Sequence, residues 1–446
     1  MKLLLIICAI IFCCMLTGLP VAYAFLGGSL LFLVLTGGNL APIAGIAFNS
    51  MNSFAYLAIP LFVLAGSLMS KSGIAEGICS FCSSILRRFK GGMGTAIILA
   101  SMMFGMLTGS NTATIMSVNA FMTEPMKKMG WKSEYIAAVM AAAGPLGYMI
   151  PPNTNAIMFA VIAGCSVSKL FLCSLIPGLL WGALMMAVNR FTYKKYFDAD
   201  LATPEYAELS KYEGGLMPGE TNSQYLKGIG KSFWITIPAL MMPVIIFGGI
   251  YGGIFTATEA GAVSGLYAIL LGLVFKKTMK LKDLRDAFNE TGSQMGVLLF
   301  ITPMAAIFTR VLVLNNVPNA IATFMLGLSD NRIALLLLID AIFIVAGFFL
   351  NPTVIIYVIT PLIMPTATAL GIDAIQLGCM LFVAIGIGNI TPPLAMNLFI
   401  ASKAVNVDTT AVIPPLLKYF VFAGLPMMLL VTFCPWVSMW LPSIVG

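Results

Sequence analysis

Histidine is absent from this 446-residue chain. That removes the side chain used most often as a general acid and base near neutral pH, and a common metal ligand. Charge is almost as scarce, since Asp, Glu, Lys and Arg make up 9% of the residues. Of nine cysteines only Cys79 and Cys82 stand in a C-x-x-C spacing, with no second pair and no histidine to complete a zinc site. The cysteines lie mostly in apolar segments and read as small buried hydrophobes. No nucleophile-and-base pair occurs on a legible spacing, which leaves an intramembrane enzyme as a distant alternative.

What is present is apolar. Hydrophobic residues make up 60% of the chain and mean hydropathy is +0.99, with runs of spanning length recurring throughout. The expectation is an all-α polytopic membrane protein in a lipid bilayer. The net charge of +7 is carried in short basic groups between apolar runs, the pattern of cytoplasmic loops, so nucleic acid is set aside as a partner. At the N-terminus Lys2, the run Leu3 to Leu16 and Ala22-Tyr23-Ala24 imitate a cleavable signal peptide. The apolar pattern resumes through Phe25 to Leu35, which favours an uncleaved first helix.

Single spans are predicted near 3–17, 20–37, 54–70, 168–190, 231–251, 257–276, 293–314 and 412–441. Two longer segments, 134–163 and 375–401, contain the same interruption, Gly147-Tyr148-Met149-Ile150-Pro151-Pro152 and Gly388-Asn389-Ile390-Thr391-Pro392-Pro393. A proline has no amide hydrogen, so each pair frees the carbonyls four residues back: Gly147 and Tyr148, then Gly388 and Asn389. Lipid cannot satisfy them, and such broken helices mark ion or substrate sites at the midplane of secondary transporters.

Segments 93–127 and 333–369 are long enough for two short helices each around a polar tip, Thr108-Gly109-Ser110-Asn111-Thr112 and Asn351-Pro352-Thr353. Both read as re-entrant hairpins. Asn111 and Asn351 are 240 residues apart, as are Pro125 and Pro365, and the Pro-Pro breaks are 241 apart. This constant offset predicts a duplication, with repeats at 1–190 and 231–446 joined by a solvated linker at 191–230.

Arg87, Arg88 and Lys90 precede the first hairpin and Lys127, Lys128 and Lys132 follow it, whereas Asp330, Arg332 and Asp373 flank the second. The first hairpin is therefore expected to enter from the cytoplasm and the second from the opposite side, as in an inverted repeat. Arg190, Lys194, Lys195, Lys276, Lys277, Lys280, Lys282 and Arg285 also fall inside; Lys2, Lys169 and Arg332 are the exceptions.

The stretch Gly144-Pro145-Leu146-Gly147-Tyr148-Met149-Ile150-Pro151-Pro152-Asn153, the segment from Gly249 to Ala260 and the later Gly388 to Pro393 resemble the large membrane subunit of tripartite ATP-independent periplasmic (TRAP) transporters. The resemblance runs over essentially the whole chain. It implies sodium-coupled uptake of an organic anion across a bacterial inner membrane by an elevator-type movement. It also implies two partners, a periplasmic substrate-binding protein and a small membrane subunit of about four helices. Asn351 stands where many members have an acidic residue, which favours a sialic acid or another monocarboxylate over a C4-dicarboxylate. Ser110-Asn111-Thr112 also resembles hairpin tips of the divalent-anion symporters, so a self-sufficient sodium/dicarboxylate symporter remains the alternative.

A hard cation such as Na+ takes oxygen ligands. Each hairpin tip and its opposing break offer them: Ser110, Asn111, Gly147, Ile150 and Pro152 for one sodium site, and Asn351, Thr353, Gly388, Thr391 and Pro393 for a second. The plainer reading is that Ser, Asn and Thr only cap the half-helices. Thr108, Asn153, Asn397 and Arg310 are the candidate substrate residues. Arg310 has snorkelling to the interface as its competing role, and Asp340 has no partner identifiable from sequence. Glu259 follows Thr256 at capping-box spacing, which outweighs a coupling role. Segments 74–90 and 279–290 read as interfacial arm helices or plain connectors, and a mobile domain of 93–163 and 333–401 is expected to move against the remaining helices as scaffold.

Overall fold

The computed structural model describes residues 2–207, 210, 221–392 and 395–445. Among these, eight helices are long and apolar enough to cross a membrane, and the pair Ser133–Met149 and Thr154–Ala163 forms a further path bent by 48°. The protein is an all-helical, multi-pass membrane protein, as its composition requires: in lipid the backbone must satisfy its own hydrogen bonds.

The first part of the chain comprises α1 (Lys2–Leu16), α2 (Val21–Thr36), α3 (Ile43–Met51), α4 (Ala58–Lys71), α5 (Ile74–Leu86), α6 (Gly92–Thr108), α7 (Asn111–Lys128), α8 (Ser133–Ala143), α9 (Leu146–Met149), α10 (Thr154–Ala163) and α11 (Val167–Thr192). The second comprises α12 (Asn222–Tyr251), α13 (Ala257–Phe275), α14 (Leu281–Leu314), α15 (Val317–Leu328), α16 (Arg332–Phe349), α17 (Pro352–Ala369), α18 (Ala374–Gly388), α19 (Met396–Val405), α20 (Thr409–Phe433) and α21 (Pro435–Val445). A pair of helices occupies each predicted hairpin segment, α6 with α7 and α16 with α17, and a helix interrupted at the Pro-Pro pair follows each.

Three readings change. The arm at 279–290 and the span at 293–314 are one 34-residue helix, α14. No proline separates them, and the single Gly292 costs only about 1 kcal/mol against Ala. At 1.5 Å per residue α14 is about 50 Å long, so it outruns the hydrocarbon core. Segment 412–441 is two helices, because Pro435 holds Cys434 out of the helical region (φ −117°, ψ 77°). The short helices α3 and α15 lie outside the predicted spans. Glu259 does complete a capping box: its carboxylate accepts from the Thr256 amide at 2.8 Å and its own amide donates to Thr256 Oγ1 at 3.3 Å.

Helices α8 and α18 form the centre, with Tyr135–Ala143 and Ile375–Gly388 buried on every face, the signature of a helix surrounded by protein. The two parts of the chain interlock reciprocally. The second half of the later broken helix, α19, packs on α7 and α8, while that of the earlier one, α10, packs on α17. Helices α11 and α20, expected in the scaffold, instead pack on α6, α9 and α18 and on α8 and α18, extending the hairpin body. Facing it, α14 gathers α2, α3 and α4, and α4 packs on α13.

Candidate functional site

The first tip is formed by a glycine turn. α6 ends at Gly109, whose φ of +59° suits a residue without Cβ. Ser110 then caps α7, its Oγ 3.5 Å from the Ala113 amide. Opposite, Ile150 is extended after α9, and Asn153 caps α10 by accepting from the Ala156 amide at 2.6 Å. Tip and break are in backbone contact. A methyl group on Gly109 would stand 2.5 Å from the Pro152 carbonyl oxygen, and one on Gly147 would stand 2.9 Å from the Ser110 carbonyl oxygen and 2.5 Å from Thr114 Oγ1.

The structure thus brings Ser110, Gly147 and Pro152 together and adds Thr114, a buried hydroxyl 3.3 Å from Thr108 Oγ1. No backbone amide among the described residues donates to the Gly147 or Tyr148 carbonyl, as two adjacent prolines require. Ile150 can contribute only through its backbone carbonyl. Its side chain packs against Gly178 of α11.

The second tip resembles the first in plan but not in hydrogen bonding. Asn351 caps α17 by accepting from the Thr353 amide at 3.0 Å. One turn earlier Gly347 meets Gly388 so closely that a methyl on Gly388 would stand 2.4 Å from the Gly347 carbonyl carbon. The carbonyls expected to be free here are taken. Gly388 accepts from the Thr391 amide at 3.1 Å and Asn389 from the Asn397 amide at 3.0 Å, because the chain folds back after the break. Thr391 Oγ1 donates to Ile387 at 2.7 Å. Each carbonyl keeps a second lone pair. Pro393 lies outside the described residues.

Among the hydrogen bonds that join the two halves, one lies at the first tip: Asn111 Nδ2 donates to Asn397 Oδ1 at 3.2 Å. Nearby, the side-chain Nδ2 atoms of Asn153 and Asn397 are buried without hydrogen-bond partners among the described residues. Buried polar groups are ordinarily satisfied, so this cluster has unused capacity for a polar ligand.

A cavity of about 420 Å³ opens beside the first tip, lined by Thr108 to Ala113, Tyr148, Asn155 and, from the second tip, Pro352. Its far wall was not legible in the sequence. Lys71 of α4 lies 3.3 Å from Glu290 of α14, and Ser67 donates to the same carboxylate at 2.7 Å. These residues meet across 219 positions, and their only sequence signal is charge at the ends of apolar runs. Of the candidate substrate residues Thr108 lines the cavity; Asn153 and Asn397 stand buried behind it. Arg310 is elsewhere, in a separate crevice that shares no lining residue with this cavity. Asp340 finds its partner in Thr432, whose hydroxyl lies 2.9 Å from both carboxylate oxygens.

Comparison with known proteins gives the family. The family described as "Tripartite ATP-independent periplasmic transporter, DctM component" matches residues 8–437. An isethionate TRAP transporter permease of Oleidesulfovibrio alaskensis is 32% identical over 95% of this chain, which spans only 64% of that relative's length. The C4-dicarboxylate TRAP transporter large permease of Vibrio cholerae is 32% identical, over 96% of this chain and 95% of its own. The sialic acid large permease of the same organism is 31% identical over 92% of each. The solved YdaH transporter of Alcanivorax borkumensis shares the fold, with a TM-score of 0.61 at 14% identity, covering 91% of this chain and 89% of its own. The chain belongs to the DctM family of TRAP transporters, a family of transporter permeases rather than enzymes.

Proposed function

We propose that this protein takes up an organic acid across the bacterial inner membrane, driven by sodium, with a periplasmic binding protein delivering the substrate and a small membrane subunit completing the complex. One observation carries the reading. The tip of the first hairpin is lodged on the first helix break, with the Ser110 carbonyl and the Thr114 hydroxyl brought against Gly147 beside a cavity that Ser110 lines. That set of hydroxyl and carbonyl oxygens suits a hard monovalent cation. The α7 N-terminus turned toward the same space favours an anion next to it. Cation and anion then stabilise each other's binding, which is the linkage a symporter needs.

In this reading the repeats have opposite topology, and the hairpin body, α6 to α11 with α16 to α20, slides as an elevator against the scaffold built on α14. The basic residues that precede α14 put Lys71 and Glu290 on the cytoplasmic side, so the cavity is the inward exit. Relatives of nearly equal identity are named for isethionate, C4-dicarboxylates and sialic acid. Identity alone therefore does not choose among acids. The uncharged Asn351 at the second tip keeps a monocarboxylate such as a sialic acid as the favoured class.

The test is uptake in proteoliposomes holding this chain and its small subunit, with loaded binding protein outside. A sodium gradient is expected to drive uptake, and a pH gradient in sodium-free buffer to give none. Uptake on the pH gradient alone would overturn sodium coupling. Uptake of free substrate by this chain alone would favour the self-sufficient symporter.

A further inference from the structure

The crevice that holds Arg310 has no role in the hairpin site, yet it gathers a guanidinium and two phenols in one place. It encloses about 470 Å³ between Asn49 and Ser50 of α3, Tyr56, Thr309 and Arg310 of α14, and Tyr357 of α17, a size suited to a small molecule. Arg310 is exposed into it and makes no ion pair or hydrogen bond among the described residues. Tyr56 and Tyr357 are 5% and 4% exposed, and neither hydroxyl has a partner among the described residues. Leaving such groups unpaired is costly. A guanidinium offers a planar fork of N–H donors and a phenol one O–H donor. No carboxylate lines the crevice. The matching ligand is a carboxylate.

The position gives this chemistry a purpose. Glu290 and Arg310 lie on one helix, 20 residues and about 30 Å apart. With the basic loop before α14 inside, the Arg310 crevice faces outward. Its walls belong to the two bodies, α3 and α14 on one side and α17 on the other. Thr309 Oγ1 holds them together by donating to the Tyr357 carbonyl at 2.9 Å. We infer that Arg310, Tyr56 and Tyr357 form an outward receiving site that captures the carboxylate of the organic acid before it reaches the hairpin tips. The inference rests on the proposed function only in taking the cargo to be an organic anion.

Arginine labelling tests it without transport or sodium. The purified transporter in phosphatidylcholine nanodiscs is treated with phenylglyoxal in sodium-free buffer, and modification of Arg310 is followed by peptide mass spectrometry, with exposed Arg332 as internal control. Acetate, succinate and N-acetylneuraminate are the probes. At least one is expected to slow labelling of Arg310 about fivefold, the protection given by ligand at about four times its Kd, while Arg332 is unaffected. The Tyr56→Phe/Tyr357→Phe variant is expected to lose that protection. Labelling unchanged by all three acids would overturn the proposal. So would protection that appears only when phosphatidylglycerol replaces phosphatidylcholine, which would make Arg310 a lipid headgroup contact. Protection without sodium-driven uptake would count against the coupling and leave the receiving site standing.

Discussion

Asn111 and Asn397, 286 positions apart, are joined by a hydrogen bond of 3.2 Å from the first hairpin tip to the helix that follows the second break. It is a direct polar link between the two halves of the chain. Asn397 is wholly buried, and while its Oδ1 accepts this bond its Nδ2 has no partner among the described residues.

If this bond transmits occupancy from one half to the other, the two residues act as a unit. Asn111→Ala and Asn397→Ala are each expected to raise the sodium concentration for half-maximal uptake, and the double variant to raise it by less than their product. A coupling of about 0.5–3 kcal/mol is the range for residues in contact. Multiplicative effects would mean that the bond carries no coupling.

Gly147→Ala is expected to be more damaging than its chemistry suggests. The new methyl would stand 2.5 Å from Thr114 Oγ1 and 2.9 Å from the Ser110 carbonyl oxygen, so tip and break must separate. Overpacking of this kind costs about 1–3 kcal/mol. Thermal unfolding in detergent should show the loss, together with weaker sodium stabilisation of the protein. A parent-like melting temperature and sodium response would show that the contact has slack.

Lys71→Gln separates stability from function. The ion pair with Glu290 is partly exposed, with side chains 29% and 51% accessible, and such pairs contribute about 0–1 kcal/mol. Little change in melting temperature is expected. Because Lys71 supplies positive charge to the cavity, substrate exchange from the inner face should need a higher anion concentration. Unchanged exchange would remove Lys71 from the exit path.

Much of this site was readable in advance because its devices are punctuation. Gly109 with Ser110 and Pro151 with Pro152 identified a helix end and a helix break to within a residue or two. What sequence could not give is which groups satisfy each other. The Thr391 and Asn397 amides fold back onto carbonyls that proline chemistry alone leaves open. Thr114 was hidden because a hydroxyl inside a helix has no distinguishing spacing. Lys71, Glu290 and Arg310 were separated into two chambers only by the packing of α14. The merging of 279–290 into α14 followed from the absence of a breaker strong enough to end the helix.

The most direct test of the central claim is a sodium titration of uptake by Ser110→Ala in the complete transporter. As a cap alone, Ser110 would cost about 0.5–2 kcal/mol of stability when replaced, visible as a lower melting temperature at saturating sodium. As part of a sodium site, its loss also shifts the titration. The account predicts a severalfold higher sodium concentration for half-maximal uptake; a titration that overlays the parent's, with only the melting temperature lowered, would contradict it.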